Sequence, residues 1–178
     1  LISQVQVSSG ARLSIAGGAP TELMSELAVI TQNKVADKDL HRLFWVENGA
    51  LILAYVRLKG GRVKESRDTS LPGYRACAGG LVYVGNGVST NNPVALLNAT
   101  RSVVFEGGRA RSGGGPMAWG SESTIWMGVG SEVKGNYADR FGGGVYLQHS
   151  STLTTVDSMI HSNTAGYSGG GVYLQHSS

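Results

Sequence analysis

Two histidines, His149 and His176, have a spacing that could serve metal chemistry. They occupy the same place in two segments, 136–151 and 163–178, which share twelve of sixteen residues at an offset of 27. If these segments stack as neighbouring strands, the two imidazoles lie about 4.8 Å apart and could share a metal ion. Neither cysteine nor carboxylate accompanies them, so a four-ligand structural site is not supplied. We expect an exposed or turn-facing histidine stack, with metal binding as the alternative.

Acidic residues in this chain do not form an obvious catalytic group. A calcium-dependent lyase needs carboxylates clustered on one face, and a polysaccharide hydrolase needs a pair of acids. No two of the five aspartates occupy equivalent positions of adjacent repeats; they are Asp37, Asp39, Asp68, Asp139 and Asp157. Asp37 and Asp39 come nearest to a pair, and we expect them to cap a loop or a strand end. The sequence therefore predicts no catalytic residue and no cofactor.

Basic residues cluster in one stretch, which contains Arg57, Lys59, Arg62, Lys64 and Arg67. Such a cluster could engage an anionic polysaccharide, lipid headgroups or an acidic protein surface. The interpretation that we favour is a solvated loop. The net charge of +3 is too small for the dense basic surface of a nucleic-acid binder, so no nucleic-acid partner is expected.

Three further features bear on ligands. Asn98-Ala-Thr100 matches a glycosylation sequon, which matters only on a eukaryotic secretory route. The tryptophans Trp45, Trp119 and Trp126 could stack on sugar rings, although packing explains most such residues. The triplet Gly142-Gly143-Gly144 lacks the Gly-Lys-Ser/Thr that a phosphate-binding loop requires, so we interpret it as a corner of the fold.

The element that must position these residues is a repeat. Glycine doublets or triplets begin at positions 79, 113, 142 and 169, with Val-Tyr or a similar pair behind them. Each clean repeat holds three strand-like pieces, 144–148, 152–156 and 158–161, separated by turns. A unit this small cannot bury a core alone and must stack on its neighbours. The pattern predicts an all-β parallel β-helix, a solenoid of about six to seven coils.

Period-two alternation assigns the faces of these strands. Two side-chain ladders are expected on the repeats: Asn136 with Asn163 through their amides, and Tyr146 with Tyr173 stacked on the outside. The inward set is expected to comprise Val145, Leu147, Leu153, Ile160, Val172 and Leu174, with Val104 and Val133 in the place of Ile160.

We expect one β-helix domain over residues 1–178, with degenerate coils in 1–101, regular coils in 102–178 and extruded loops near 19–41, 60–78 and 85–98. Segment 102–115 aligns without a gap on 158–171. Both termini look cut, so we expect a fragment whose C-terminal end is covered by further repeats, a cap or a neighbouring subunit. Cys77 is the single cysteine, which excludes an intrachain disulfide, and no apolar run is long enough for a transmembrane segment.

The Gly-Gly-Gly-Val-Tyr phrase behind an Asn-x-Ala turn resembles the repeats of polymorphic outer-membrane-type and adhesin-like proteins. Those proteins belong to the pectin-lyase-like superfamily of right-handed parallel β-helices. The resemblance implies an extracellular or cell-surface location, or the lumenal side of a membrane-bound compartment. It implies a structural, adhesive or assembly role towards a protein or glycan surface. Alternatives are a carbohydrate-active protein that binds or cleaves acidic polysaccharide, and a peripheral subunit of a larger complex.

Overall fold

The computed structural model describes residues 5–8, 10–18, 27–31, 41–63, 78–85 and 94–175. Within these ranges the regular structure consists of β-strands and no α-helix. None of the described residues forms a helix long and apolar enough to cross a membrane. The predicted all-β class is therefore correct for this part of the chain.

Nineteen short strands follow one another along the described residues. They are β1 (Val5–Val7), β2 (Ala11–Ala16), β3 (Ala28–Thr31), β4 (Phe44–Val46), β5 (Gly49–Ala54), β6 (Val56–Lys59), β7 (Val82–Gly85), β8 (Ala95–Arg101), β9 (Val104–Glu106), β10 (Arg109–Ser112), β11 (Pro116–Trp119), β12 (Ser123–Met127), β13 (Glu132–Lys134), β14 (Tyr137–Phe141), β15 (Val145–Gln148), β16 (Thr152–Thr155), β17 (Met159–His161), β18 (Thr164–Ala165) and β19 (Val172–Gln175).

These strands form four sheets in which the paired strands are parallel. Sheet 1 has the order β1-β4-β7-β11-β15-β19, sheet 2 β16-β12-β8-β5-β2, sheet 3 β17-β13-β9-β6-β3, and sheet 4 β10-β14-β18. The chain visits sheets 1, 2 and 3 in turn, and from β10 onward it also visits sheet 4 before returning to sheet 1. We call each such passage a level, so that β1–β3 form level 1, β15–β18 form level 5 and β19 begins level 6. This arrangement is compatible with a β-helix.

Register partners in sheet 1 reproduce the spacing of the glycine groups. Val82 pairs with Pro116, Met117 with Tyr146, and Val145 with Val172. The corresponding offsets are 34, 29 and 27 residues. Segment 79–84 thus occupies in level 3 the position in sheet 1 that segment 142–147 occupies in level 5.

Aliphatic side chains from sheets 1, 2 and 3 fill one continuous core. In sheet 2 this core contains a column formed by Leu13, Leu51, Leu97, Ile125 and Leu153. The three middle members are fully buried, and burial of each such side chain contributes about 1.5–3 kcal/mol. Leu13 and Leu153, in the outermost strands, are only partly buried because each has a sheet neighbour on one side.

The inward assignments are mostly correct, with one error of register. Val133 pairs with Ile160 as expected, but its partner on the other side is Phe105 and not Val104. Val104 instead pairs with Glu132 on the opposite face of sheet 3. The gapless alignment of 102–115 with 158–171 therefore fails in sheet 3. The cause is a β-bulge between Ala110 and Ser112 in the pairing of β10 with β14, which shifts the register by one residue.

A fourth sheet corrects the prediction of three strands per repeat. The Asn-Thr-Ala-Gly segment, which the sequence suggests is only a turn, contains β18, and Ala165 pairs with Ala138 of β14. Two residues of strand are too few for alternation to be visible in the sequence. The loop predicted near 85–98 is also partly wrong, since β8 begins at Ala95 in the middle of sheet 2.

The other two predicted loops lie largely outside the described residues. Within the first, Ala28–Thr31 forms β3 and pairs with β6. Within the second, Arg62 and Ala78 form isolated parallel bridges to Arg109 and Ser112, so both ends of that segment follow the edge of sheet 4.

At the C-terminal end, Val172 and Leu174 pair with Val145 and Leu147 but remain 38% and 71% exposed. Both side chains follow the expected alternation, and their exposure reflects a position in the outermost strand of sheet 1.

Candidate functional site

The corners that lead into β7, β11, β15 and β19 of sheet 1 are built from glycines. The first glycine of the group adopts a left-handed conformation, with φ of +69°, +64°, +64° and +67° at Gly79, Gly113, Gly142 and Gly169. The second glycine allows close approach of two backbones: a Cβ on Gly114 would lie 2.5 Å from the carbonyl oxygens of Gly143 and Tyr137. Glycine is required here for conformation and for space.

Asn136 and Asn163 form a hydrogen-bonded ladder at the corner between sheets 3 and 4. The Nδ2 of Asn136 donates to the Oδ1 of Asn163 at 3.0 Å and to the carbonyl oxygen of Phe105 at 3.0 Å. Its Oδ1 accepts from the backbone N–H of Gly108 at 2.8 Å. Asn163 repeats the pattern, since its Nδ2 donates to the carbonyl oxygen of Val133 at 2.9 Å. The side chains thereby satisfy backbone groups that the corner leaves without strand partners.

The amide ladder takes the place of an apolar side chain that fills the same corner in level 3. In level 3, Leu81 is fully buried and a Cβ on Gly108 would lie 2.7 Å from its Cγ. In level 4, glycine occupies the position of Leu81, and asparagine occupies the position of Gly108. A Cβ on Gly115 would lie 3.2 Å from the Nδ2 of Asn136. Levels 3 and 4 thus each pair one large side chain with a glycine at this contact.

The tyrosine ladder forms but does not lie on the exposed surface. The rings of Tyr146 and Tyr173 stack with centroids 5.7 Å apart at 20°, and Phe141 stacks on Tyr173 at 4.8 Å. Tyr146 is fully buried in a second cluster with Ala78, Tyr83 and Met117 on the outer face of sheet 1. The expectation of an exposed Tyr146 is wrong because residues at the end of sheet 4 pack over that face.

His149 lies in a turn in which it and Ser150 both have positive φ, +55° and +60°. Its ring stacks on Trp119 with centroids 5.1 Å apart and an angle of 12° between the planes. His176 lies outside the described residues, so the predicted pair of imidazoles stays a prediction. Across the described ranges, no group of three or more His, Cys, Asp or Glu residues could hold a metal ion.

The tryptophans are half-buried, and each has a neighbour across its ring. Trp45 meets Tyr83 edge to face at 5.8 Å, and the guanidinium of Arg42 lies 5.1 Å from its centroid. The ring of Trp126 lies over Gly128, where a Cβ would come within 2.5 Å of its Cζ3. These contacts favour the packing interpretation over sugar-stacking platforms. Asn98 lies in mid-strand on the outer face of sheet 2, between Ile52 and Trp126, with its side-chain oxygen buried.

The predicted basic cluster divides between two sheets. Arg57 and Lys59 project from sheet 3 and lie 3.6 Å and 4.0 Å from the carboxylate of Glu106. Arg62 is exposed and pairs in register with Arg109 at the edge of sheet 4. Lys64 and Arg67 lie outside the described residues.

Comparison with protein-family models, curated proteins and solved structures gives no match. The arrangement of the chain's own side chains therefore carries the functional argument.

Sheet 4 contains arginines that the sequence interpretation missed. Arg109, Arg111 and Arg140 lie on β10 and β14, beside Arg62. Arg109 lies 3.8 Å from Asp139, and its guanidinium lies 4.6 Å from the ring centroid of Tyr137. Of the aspartates, Asp139 is thus engaged in an ion pair, Asp157 occupies a turn with φ of +46°, and Asp37, Asp39 and Asp68 lie outside the described residues. The sequence signal for these arginines is basic residues at positions about one repeat apart, and it is not visible among neighbours in sequence.

Proposed function

We propose that this chain is a segment of a right-handed parallel β-helix of the pectin-lyase-like type. We further propose that it acts without catalysis, as a rigid structural or adhesive element that presents its repetitive lateral surface. The observation that carries the proposal is the topology of the sheets, in which each strand pairs in parallel with the equivalent strand of the next level. In such a solenoid each level contacts only its neighbours, so the chain builds a rod with a repeated outer surface.

Rigidity is supported by packing on two sides of sheet 1. Its inner face contributes Val82, Val84 and Leu147 to the main core, and its outer face buries Tyr83 and Tyr146 in the second cluster. A parallel sheet that is covered on both faces has little freedom to bend between levels.

A non-catalytic role is supported by the contacts of four of the six described acids. Glu106, Glu132 and Asp139 each lie within 4.0 Å of a basic side chain, and Glu47 accepts a hydrogen bond from Gln6 at 3.1 Å. Carboxylates held in this way are poorly placed to act together as acid and base across a sugar bond. An extracellular or cell-surface location and a protein or glycan surface as partner complete the proposal.

The experiment that tests this role is a product assay. The protein is incubated with a panel of polyuronates and neutral polysaccharides, with and without Ca²⁺, and the digests are followed by ultraviolet absorbance, reducing ends and polymer mass. We expect no change in any of the three. New unsaturated ends or shortened polymer that scale with protein concentration would overturn the non-catalytic role.

A further inference from the structure

The positive charge of the described residues is concentrated on two neighbouring sheets. The outward faces of sheets 3 and 4, with the bridge at Arg62, carry seven basic and three acidic side chains. The basic ones are Arg57, Lys59, Arg62, Arg109, Arg111, Lys134 and Arg140, and the acidic ones are Glu106, Glu132 and Asp139. Elsewhere the described residues carry three basic and three acidic side chains. The net charge of +4 on the described residues therefore comes entirely from these two faces.

Sheet 3 largely neutralises its own charge. Register pairing places Lys59, Glu106 and Lys134 in one column. Glu106 lies near Arg57 and Lys59, while Glu132 pairs with Lys134 and lies 3.9 Å from the Nε2 of His161. Alternating signs across neighbouring strands form an ion-pair lattice, which is weakly attractive to an outside anion.

Sheet 4 is different, because its cations outnumber its acids. We name Arg62, Arg109, Arg111 and Arg140 the arginine stripe. Asp139 is the acidic side chain on this face among the described residues, and it lies beside Arg109. Within the same ranges, no ion pair joins Arg62 or Arg140 to an acid, and both side chains are exposed. Arg62 and Arg140 therefore contribute positive charge at the surface that no described acid neutralises through an ion pair.

The stripe runs across strands rather than along one. Arg62 and Arg109 are register partners, so their backbones lie about 4.8 Å apart. The next position in that column is Tyr137, whose ring lies beneath the guanidinium of Arg109, and Arg140 belongs to the same strand as Tyr137. A linear polymer that crosses the levels meets guanidinium groups on successive levels, and each presents a planar fork of donors.

We propose that the arginine stripe binds a linear sulfated polysaccharide. The inference rests on the proposed function, because it names the partner of the lateral surface. All four cations are arginine, whose weakly hydrated fork matches an oxyanion bidentately, whereas a lysine acts as a strongly hydrated point charge. Sulfate esters are weakly hydrated oxyanions of this kind.

Two other anionic partners fit the stripe less well. A membrane surface favours apolar side chains that insert between headgroups, and β10 and β14 carry no exposed large aliphatic residue. A single-stranded nucleic acid favours a row of free aromatic faces on which successive bases stack. Beside the stripe the face of Tyr137 is covered by Arg109, and Tyr167, which is 75% exposed, offers a single aromatic face rather than a row.

The test measures affinity for heparin as the sulfated probe at two salt concentrations, against polygalacturonate, phosphatidylserine-containing vesicles and single-stranded DNA. We expect heparin to bind most tightly. Arg62→Ala with Arg140→Ala should weaken heparin binding about tenfold, because two solvent-exposed ion pairs with the polymer are lost. The matched control is Arg12→Ala with Arg101→Ala, which removes the same charge from sheet 2 and should change the affinity less than about twofold.

Equal losses in the two double variants would overturn the stripe as the binding site. Tighter binding of polygalacturonate, vesicles or DNA than of heparin would overturn the sulfated polysaccharide as its partner. Thermal melts of both double-alanine variants check that they fold. The double variant Arg62→Lys with Arg140→Lys tests whether the planar guanidinium matters, because it keeps the charge and should still lose part of the affinity for heparin. If heparin does not bind, the polysaccharide proposal is overturned and the non-catalytic role is unaffected. If the product assay detects cleavage, the non-catalytic role is overturned whether or not heparin binds.

Discussion

Asn136 is a residue whose side chain replaces strand hydrogen bonds at a corner. It is 1% exposed, donates to a backbone carbonyl and to Asn163, and accepts from a backbone N–H. Asn163 lies on the next level, is half-buried and has fewer neighbours above it. Asparagine at the same repeat position therefore contributes differently to the free energy of unfolding in levels 4 and 5.

We expect Asn136→Ala to lower the free energy of unfolding by about 2–4 kcal/mol, because the N–H of Gly108 and the carbonyl of Phe105 lose their partner in a buried corner. Asn163→Ala should cost less, about 1 kcal/mol. Chemical denaturation of both variants measures the difference. Exposed Thr154→Ala serves as the control and should stay within about 0.5 kcal/mol of the parent. A cost for Asn136→Ala no larger than that of Thr154→Ala would contradict the ladder.

Gly114 tests the close approach of neighbouring backbones. A Cβ there would lie 2.5 Å from two carbonyl oxygens, and backbone atoms cannot yield as a flexible side chain can. Gly114→Ala should therefore destabilise the protein by more than about 2 kcal/mol. Gly18→Ala is the matched control, since a Cβ at Gly18 meets nothing within 4 Å. Thermal and denaturant melts measure the stability of both variants. Equal stabilities of Gly114→Ala and Gly18→Ala would contradict the close backbone contact at Gly114.

Among the elements, sheet 3 shows what the sequence could and could not predict. The inward side of its strands follows alternation, so the sequence correctly predicts the inward faces of Val133 and Ile160. The prediction for Val104 is wrong because the bulge in the pairing of β10 with β14 changes the number of residues per level, and the alternation within β9 does not show that change. Alternation fixes which face a residue takes within a strand, but register between strands depends on every loop and bulge between them.

The charge lattice of sheet 3 gives a prediction for a single acid. Glu106→Gln removes the anion that faces Arg57 and Lys59. Stability should change by less than about 1 kcal/mol because the pairs are partly exposed. Affinity for heparin should rise about two- to fivefold, because two cations near the arginine stripe lose their neutralising partner. Titration of heparin by calorimetry checks the direction, and a fall in affinity would count against the stripe as a field-driven site.

Over the whole molecule, the sequence indicated the all-β class and the repeat but not the distribution of charge. Arg62, Arg109 and Arg140 are far apart in sequence and meet only because the chain returns to the same sheet edge at each level. The burial of Tyr146 has the same origin, since its cover comes from other levels. The binding surfaces of a repeat fold depend on which residues of successive levels pair in register. The sequence alone does not give that register, so it does not predict these surfaces.

Stacking of levels is the central claim, and distances between levels test it most directly. In a Cys77→Ser background, spin labels at Arg12→Cys and Thr124→Cys span three strand spacings of sheet 2, and labels at Arg12→Cys and Thr152→Cys span four. Electron paramagnetic resonance should give backbone separations of about 14 Å and about 19 Å after correction for the labels, a difference of one strand spacing. Separations above about 30 Å, or no increase from the first pair to the second, would contradict the stacked arrangement.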